Sequence, residues 1–443
     1  MMPMQKKMLT LSRIVHTAGN RFANWPQQVL TVLPLTLFFP VGIMYGGLLA
    51  FYIALLLSGD WRQRGLRLRH HPMLWPVLAL SAVSIVMTLI QGRPEAVSEE
   101  FWPAFGHYQT YLFLLPFLLL PAGDWQQKAM RWFQYGAIAS ATVFVLNALH
   151  WLPEMDFFHS YQHYIGNKSI LLGILLAIAA GWMLNDWLRL RDRHWQRALS
   201  LLYVVAVLVM LTKTRTASLL LLLMVAMTGM SAVRWSWRRV WIPVVALALI
   251  WGAWQAAFRL GPPANCVIND VQAQPWQVLQ LRTRCTLYQL RDMVNGNKTS
   301  DGDGMRTEIY RITAGIIAEK PWTGHGIASW LPLYRERAAG LSSASMTTPH
   351  NDYLLYATEL GLIGAMALLL IWVRQWWLAW QMSRSQLPEI RRYAMPLAML
   401  TLSMMVGGVV NAILRDALFG LAFMILLAIP LAGLQSGRSE TAA

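Results

Sequence analysis

Long apolar runs constrain this chain more than any other feature of its sequence. Of its 443 residues, 56% are hydrophobic and 13% are charged, whereas a soluble domain carries about 25% charged residues. A helix needs about 20 mostly apolar residues to cross a bilayer, and runs close to this length recur along the chain, as at 218–233 and 240–257. The sequence therefore predicts an all-α integral membrane protein.

Hydropathy and helical periodicity divide the chain into about twelve transmembrane helices. We expect these spans at 27–40, 42–58, 73–91, 108–121, 132–150, 169–186, 199–212, 218–233, 240–257, 351–373, 393–412 and 417–434. Residues 1–25 show no small-residue cleavage site after a short apolar stretch, so we interpret them as a cytoplasmic lead-in to the first span.

The formal net charge of +16 does not indicate nucleic-acid binding. The basic residues lie in short clusters between apolar runs, which is the pattern of membrane topology. Alternate loops hold these clusters, as at 62–69, 189–197 and 384–392, while the loops between them hold few cations. This bias places the clusters and both termini in the cytoplasm, and the long segment 258–350 on the outer face.

The predicted organisation therefore has three parts. An N-terminal membrane region of about nine spans covers 1–257, a large helical periplasmic loop covers 258–350, and a C-terminal membrane region of about three spans with a short cytoplasmic tail covers 351–443. Cys266 and Cys285 both fall in the loop, 19 residues apart. A disulfide between them would contribute about 3 kcal/mol in an oxidising compartment; two unpaired thiols are the alternative.

A tight turn between two apolar spans holds Lys213 and Arg215. An arginine at a membrane edge is costly unless it has a partner. If Arg215 faces a cavity on the outer side, its guanidinium could bind a phosphate through two hydrogen bonds. An arginine that extends to the interface at a span end is an equally good interpretation of this residue alone.

The segment 304–318 of the large loop has the apolar spacing of a helix. Arg306 lies near its N-terminal end, where backbone N–H groups favour anions. Arg311 follows on the same helix, and a solvated helix face is the alternative for both residues.

His350 opens the tenth span, preceded by Pro349 and followed by Asn351. A histidine in this position can act as a general base near neutral pH; a helix cap or an interfacial residue is the alternative. The charge pattern places residues 215, 306 and 350 on the same outer face, so we expect that they can meet.

These three segments, in this order, resemble the O-antigen ligase and polymerase superfamily. The motif residues are Thr214, Arg215, Thr216 and Ala217 in the turn, Gly304, Arg306, Glu319, Pro321, Gly324 and Gly326 in the loop, and Pro349, His350, Asn351, Leu354, Glu359 and Gly361 at the tenth span. The resemblance covers about residues 200–375 in motif and most of the chain in topology. His325, between the two loop glycines, departs from the usual pattern and receives no role.

The resemblance implies a GT-C-like glycosyltransferase of the bacterial inner membrane with its active site facing the periplasm. The implied activity is that of an O-antigen ligase, which transfers O-antigen polysaccharide from undecaprenyl pyrophosphate to lipid A–core, without a metal or other cofactor and with inversion. Arg215 and Arg306 would bind the pyrophosphate and His350 would assist attack by the acceptor hydroxyl. Three further cations are expected to add positive charge around the pyrophosphate: Lys213, Arg311 and Arg415.

Metal sites are not favoured by the remaining polar residues. Asp301 and Asp303 lie in a turn-rich stretch without the spacing of a calcium-binding loop. His159 and His163 have the spacing of one helix face, but no glutamate completes a zinc motif.

Four activities remain open: ligase, polymerase, protein O-oligosaccharyltransferase, and transporter of lipid-linked glycans. A transporter would carry charges near the bilayer midplane and repeated halves, whereas the candidate residues lie at one membrane edge without an internal repeat. A single large outside loop and a short C-terminal tail favour the ligase by analogy with the family.

Overall fold

All regular secondary structure in the described part of the chain is helical in the computed structural model of this protein. The structure describes residues 22–92, 98–153, 167–189, 195–212, 214–232 and 302–434, together with residues 155, 158, 284, 285 and 288. The prediction of an all-α protein is confirmed for these ranges.

The described ranges contain sixteen α-helices, with a 3-10 helix at Thr110–Leu114. In chain order the α-helices are α1 (Trp25–Thr36), α2 (Val41–Leu57), α3 (Trp61–Arg69), α4 (Leu74–Gln91), α5 (Ser98–Tyr108), α6 (Leu115–Leu118), α7 (Asp124–Ala148), α8 (Asn167–Arg189), α9 (Trp195–Leu211), α10 (Arg215–Ala232), α11 (Gly302–Glu319), α12 (Trp330–Arg337), α13 (Asp352–Ser383), α14 (Pro388–Arg391), α15 (Ala394–Val410) and α16 (Ala417–Leu431).

Several of these helices are long and apolar enough to cross a membrane. Four segments meet this condition, namely Leu74–Gln91, Lys168–Arg189, Asp352–Ser383 and Pro388–Val410; α2 and α3, bent by 113° at their junction, form a fifth candidate. Shorter apolar helices are α9, α10 and α16. The chain is thus a multi-pass membrane protein, while the predicted number of twelve spans is not confirmed. The predicted ninth span lies outside the described residues.

The predicted fourth span, 108–121, is wrong as a continuous helix. The structure has the 3-10 helix there, followed by the single turn of α6. Pro116 lies at the start of α6, and a proline removes a main-chain donor and disfavours helix at the residue before it. Irregular backbone at membrane depth requires burial within protein. This segment meets that condition, because Thr110 packs against Gly420 and Ala122 against Gly433, so it runs alongside α16.

Helix α16 lies at the centre of the bundle. Its residues are buried from Phe419 to Leu431, as expected for a helix that is hydrophobic on all sides. It contacts α1, α7, α15 and the 3-10 helix. These elements therefore pack around the predicted last span.

Hydrogen bonds join helix ends that are far apart in the sequence at one end of the bundle, which we call the arginine-rich end. Its contacts are His71 Nε2 to Leu431 O (2.9 Å), Gln126 Nε2 to Ala432 O (3.2 Å), Arg374 Nε to Pro72 O (3.3 Å) and Arg189 Nη1 to Arg391 O (3.2 Å). The loops predicted to be cytoplasmic thus meet at one end. The side of the membrane that this end faces stays a prediction, as does the division into three parts.

The helix predicted at 304–318 is confirmed as α11. Ile309 and Ile316 of its apolar stripe are fully buried, and they form a small separate core with Trp330 and Tyr334 of α12. Leu355 of α13 belongs to the same core. The described part of the predicted periplasmic loop is therefore packed onto the start of α13.

Candidate active site

The longest helix, α13, is broken at Gly361, where φ is 72° and ψ is −178°. The segment that follows α11 enters this break. The Leu362 N–H donates to Pro321 O (2.7 Å), and the His325 N–H donates to Thr358 O (2.8 Å). These bonds satisfy main-chain groups that the helix leaves unpaired at the break, so the loop is fixed to α13 through its backbone.

Glycines permit this close approach. A Cβ atom on Gly361 would lie 2.1 Å from a backbone oxygen of the loop, and one on Gly324 would lie 2.5 Å from the Gly361 nitrogen. Gly324 and Gly326 also have positive φ angles, 74° and 101°, which glycine adopts without a steric cost. The motif segments at 319–326 and 359–361 therefore form one structural unit.

The first turn of α13 holds the loop between α15 and α16. The Asn351 side chain accepts the Leu354 N–H (3.0 Å) and donates to Val409 O (3.1 Å). The fully buried Asp352 accepts the Leu414 N–H at 3.2 Å. The motif at the tenth span thus positions a second segment, which carries two further residues of the site.

His350 precedes this turn with φ 49°, an uncommon conformation for a residue other than glycine. Its N–H donates to Thr348 Oγ1 (3.0 Å), and its Nδ1 lies 3.3 Å from Asn411 Oδ1. The same Oδ1 accepts the Ala412 N–H at 3.1 Å, so this atom is an acceptor and Nδ1 of His350 carries the proton. In the neutral ring, Nε2 then has the free lone pair.

His350 lines a cavity of about 360 Å³, which we call the histidine cavity. Arg415 lines the same cavity, and its Nη1 donates to Thr347 O at 2.5 Å. The complete lining is His107, Thr348, His350, Asn411, Ala412, Arg415, Asp416, Ala417 and Phe419. The cavity therefore combines a candidate base with a fixed cation.

Burial and nearby guanidinium groups favour the neutral form of His350. Burial lowers the pKa of His350 from its ordinary 6.5, the hydrogen bond that His350 donates to Asn411 raises it, and the charges of Arg306 and Arg415 lower it again. Burial and Arg415 also lower the pKa of His107, against the opposing effect of Asp416. The imidazole of His350 is thus available as a base near neutral pH.

A second cavity, of about 450 Å³, adjoins the histidine cavity, because His107 and Arg415 line both. Its other walls include Glu99, Glu100 and the buried Glu359. We call it the acidic cavity. Its three carboxyl groups distinguish it from the histidine cavity, whose only acid is Asp416 among the described lining residues.

The structure brings some of the predicted site residues together. Arg306 of α11 and Arg415 both act on His350 electrostatically, and Tyr310 of α11 donates to His350 O (3.5 Å) and Val409 O (3.0 Å). Helix α11 packs on α13, but Arg306 is exposed and lines neither cavity, so the expected meeting of residues 306 and 350 stays a prediction. Arg415, expected only to add positive charge, lines the same cavity as His350.

Other predicted residues lie elsewhere or outside the described ranges. Arg215 begins α10 with an exposed side chain and does not line the histidine cavity. Arg311 is exposed on α11 and lines neither cavity. Lys213 and Cys266 lie outside the described residues, whereas Cys285 is buried. The roles of these residues and the disulfide stay predictions.

Two residues of the site were missed by the sequence analysis, His107 and Asn411. Each lies at or beside the end of a predicted span on the outer face, at 108 and 412, and this shared position was the available signal. Nothing in the local pattern distinguishes them from interfacial residues, because only the tertiary structure brings His107 of α5 and Asn411 of the loop between α15 and α16 to one cavity.

The metal hypotheses of the sequence analysis concern side chains that the structure does not describe. No group of three or more His, Cys, Asp or Glu side chains in that part of the chain is placed to hold a metal ion. Asp301, His159 and His163, and the side chain of Asp303, lie outside what the structure describes.

Comparison with known proteins gives a match to one protein family. Residues 198–369 match the family model described as O-antigen ligase. The match supports membership of the O-antigen ligase superfamily, and the resemblance carried by the motifs is confirmed. His350 falls within the matched residues, while Asn411 and Arg415 lie beyond them. The search of curated proteins gave no match.

Proposed function

We propose that this chain transfers O-antigen polysaccharide from undecaprenyl pyrophosphate to lipid A–core at the periplasmic face of the inner membrane. The superfamily indicates ligase- or polymerase-type activity on lipid-linked glycans. The observation that carries the proposal is the histidine cavity, where His350, with its lowered pKa, lies beside Arg415. A base next to a fixed cation suits attack by a hydroxyl with departure of a diphosphate.

The reaction assigns each group a task. The acceptor hydroxyl transfers its proton to Nε2 of His350 as its oxygen attacks the anomeric carbon of the donor. The bond between that carbon and the pyrophosphate oxygen breaks, and the electron pair leaves with the pyrophosphate. Arg415 and Arg306 stabilise the charge that develops there. Direct displacement inverts the anomeric configuration and requires no metal ion.

The two adjoining cavities suit the two substrates. Carboxyl groups repel a diphosphate but accept hydrogen bonds from sugar hydroxyls, so the acidic cavity fits the acceptor sugar. The histidine cavity, with Arg415 on its wall, fits the diphosphate end of the donor. His107 and Arg415 lie between them and mark the place of transfer.

Arg215 keeps its expected role as a pyrophosphate-binding residue in this proposal. The support is its place in the matched family region and at the start of α10, on the face predicted to be periplasmic. Because Arg215 does not line the histidine cavity, we assign it to a more distant part of the donor diphosphate.

A purified-protein assay tests the proposal. The lipid-pyrophosphate glycan is offered with lipid A–core, with a peptide, or alone, and the products are separated by mass. Joining to lipid A–core supports the ligase; a lengthened glycan on its carrier identifies a polymerase instead, and a glycosylated peptide identifies a protein-directed enzyme. The reaction should continue in excess EDTA, and a loss that Mg²⁺ or Mn²⁺ restores would contradict the metal-independent mechanism.

Variants of cationic residues test the site in the same assay. We expect His350→Ala and Arg215→Ala to abolish transfer, and Arg415→Ala to reduce it by about 100-fold or more, as for the loss of one charge-stabilising donor. Arg311→Ala is the matched comparison, because Arg311 is exposed and lines neither cavity; since it is expected only to add positive charge, it should lose much less rate than Arg415→Ala. Equal losses in Arg415→Ala and Arg311→Ala would refute the assigned role.

A further inference from the structure

A cavity of about 860 Å³ lies at the arginine-rich end of the bundle, away from both cavities of the candidate active site. Five arginines contribute to its lining, from α7, α8, α9 and the region of α14. They are Arg131, Arg189, Arg197, Arg391 and Arg392. We call it the arginine cavity.

The arginine cavity carries a strong positive charge. Five arginines and one carboxylate, Asp186, line it, which leaves +5 − 1 = +4. Asp186 accepts a hydrogen bond from Gln134 Nε2 at 3.0 Å, and within the described ranges it takes none from an arginine. Like charges around one cavity repel each other, so an anion between them would stabilise the arrangement.

Two of the arginines are available to a ligand. Arg189 Nη1 donates to Arg391 O (3.2 Å) and Arg392 Nη1 donates to Gln127 Oε1 (3.0 Å), so these two guanidinium groups also hold the fold together. Arg131 and Arg197 are exposed, and neither donates a hydrogen bond to any group in the described part of the chain. Their guanidinium groups could bind a phosphate through paired hydrogen bonds.

The cavity is also partly apolar. Its lining includes Met130, Ile138 and Met183. Along α7 it extends from Gln127 to Ile138, which is about 16 Å at the rise of an α-helix. A free phosphate would occupy only the charged part, whereas an amphiphile would place its phosphate among the arginines and its chain beside the apolar residues.

Membrane topology alone does not explain this arrangement. Orientation requires only that cations lie in the loops of one side; it does not require residues as far apart in the sequence as Arg131 and Arg392 to converge on one cavity. Basic pockets between transmembrane helices are known binding sites for anionic lipid headgroups. We propose that the arginine cavity binds the phosphate headgroup of an anionic phospholipid.

Competition between two lipids tests this proposal on the unmodified chain. The purified full-length protein in detergent is given equal amounts of phosphatidylglycerol and phosphatidylcholine, and the bound species are counted by native mass spectrometry. We expect phosphatidylglycerol to be retained in about tenfold excess or more, since each nearby arginine favours an anionic headgroup. Equal retention of the two lipids would overturn the proposal.

Matched variants locate the binding. Arg131→Gln with Arg197→Gln should lower phosphatidylglycerol retention by about tenfold and leave phosphatidylcholine unchanged. Arg62→Gln with Arg69→Gln removes the same charge from exposed positions of α3 at the same end and should have little effect. Equal losses in both pairs would indicate a diffuse attraction and contradict a site.

Competition with inorganic phosphate tests whether the cavity binds a lipid headgroup or a free phosphate ion. Inorganic phosphate in large excess should not displace the lipid from the wild-type protein, because it cannot use the apolar wall. Displacement at millimolar phosphate would show that the cavity holds a free anion, and the lipid assignment would fail. These readouts measure binding alone, so they do not depend on glycan transfer.

Discussion

At the scale of single residues, His350, the proposed base, has a backbone conformation that is uncommon outside glycine. Its φ of 49° lies in the left-handed region, which costs about 1–3 kcal/mol outside glycine. Thr348 accepts its N–H on one side, and the capping of α13 by Asn351 fixes the chain on the other. These contacts offset the strain and direct the imidazole towards Asn411.

The hydrogen bond to Asn411 gives a pH prediction. Transfer requires neutral His350, so the rate should fall as the pH drops through its lowered pKa, below 6.5. Asn411 raises this pKa. We therefore expect Asn411→Ala to move the acidic limb of the rate profile to lower pH. It should also reduce the rate by about 10- to 100-fold, because the ring loses its orientation.

Rate profiles of purified variants between acid and neutral pH provide the measurement. His107→Gln is the matched control, since it removes the other imidazole of the same cavity. The His350-dependent limb should persist in this variant. Loss of the acidic limb in His107→Gln would assign the base to His107. An acidic limb that stays at the same pH in Asn411→Ala would assign the base to another group than His350.

At the scale of elements, the break in α13 couples the extramembrane helices to the bundle. The loop after α11 donates to and accepts from main-chain groups on both sides of Gly361, so α11 and α12 are anchored to the same helix that presents His350. The electrostatic influence of Arg306 on His350 depends on this anchoring, because Arg306 belongs to α11.

Substitution of Gly361 tests this coupling. A Cβ atom there would meet a backbone oxygen at 2.1 Å, and φ is 72°. We expect Gly361→Ala to lower the free energy of unfolding by about 1–3 kcal/mol or more, seen as a lower thermal unfolding temperature in detergent. Gly315→Ala is the control, since Gly315 lies within α11 with nothing near its Cβ position, and should stabilise by about 0.5–1 kcal/mol. Equal stability of both variants would contradict the proposed anchoring.

At the scale of the whole molecule, the chain has two chemically different ends. The candidate active site and the start of α13 lie at one end, and the arginine cavity lies at the other. Contacts at the arginine-rich end join segments that are far apart in the sequence, as between Arg392 and Gln127. This separation agrees with the charge asymmetry that orients membrane proteins.

Cysteine labelling in cells tests the orientation. In a background without the two native cysteines, Ser345→Cys and Arg215→Cys should react with a membrane-impermeant maleimide from the periplasm. Gln386→Cys, beside α14 and equally exposed, should react only after the inner membrane is opened. Labelling of positions 215 and 345 from opposite sides would remove the basis for a shared donor site.

The sequence by itself indicated the all-helical membrane class, the resemblance to the O-antigen ligase superfamily and the hypothesis for His350, because apolar run length and ordered short motifs are local properties of the chain. It also indicated which loops share a face, since charge bias acts loop by loop. Only the tertiary structure decided that Arg415, His107 and Asn411 surround His350, while Arg215 does not line that cavity. It also showed that the predicted fourth span is a 3-10 helix followed by a single α-helical turn. These features arise because helices that are distant in the sequence pack side by side. The periodicity of apolar residues within one helix does not predict which side chains of two such helices face one another.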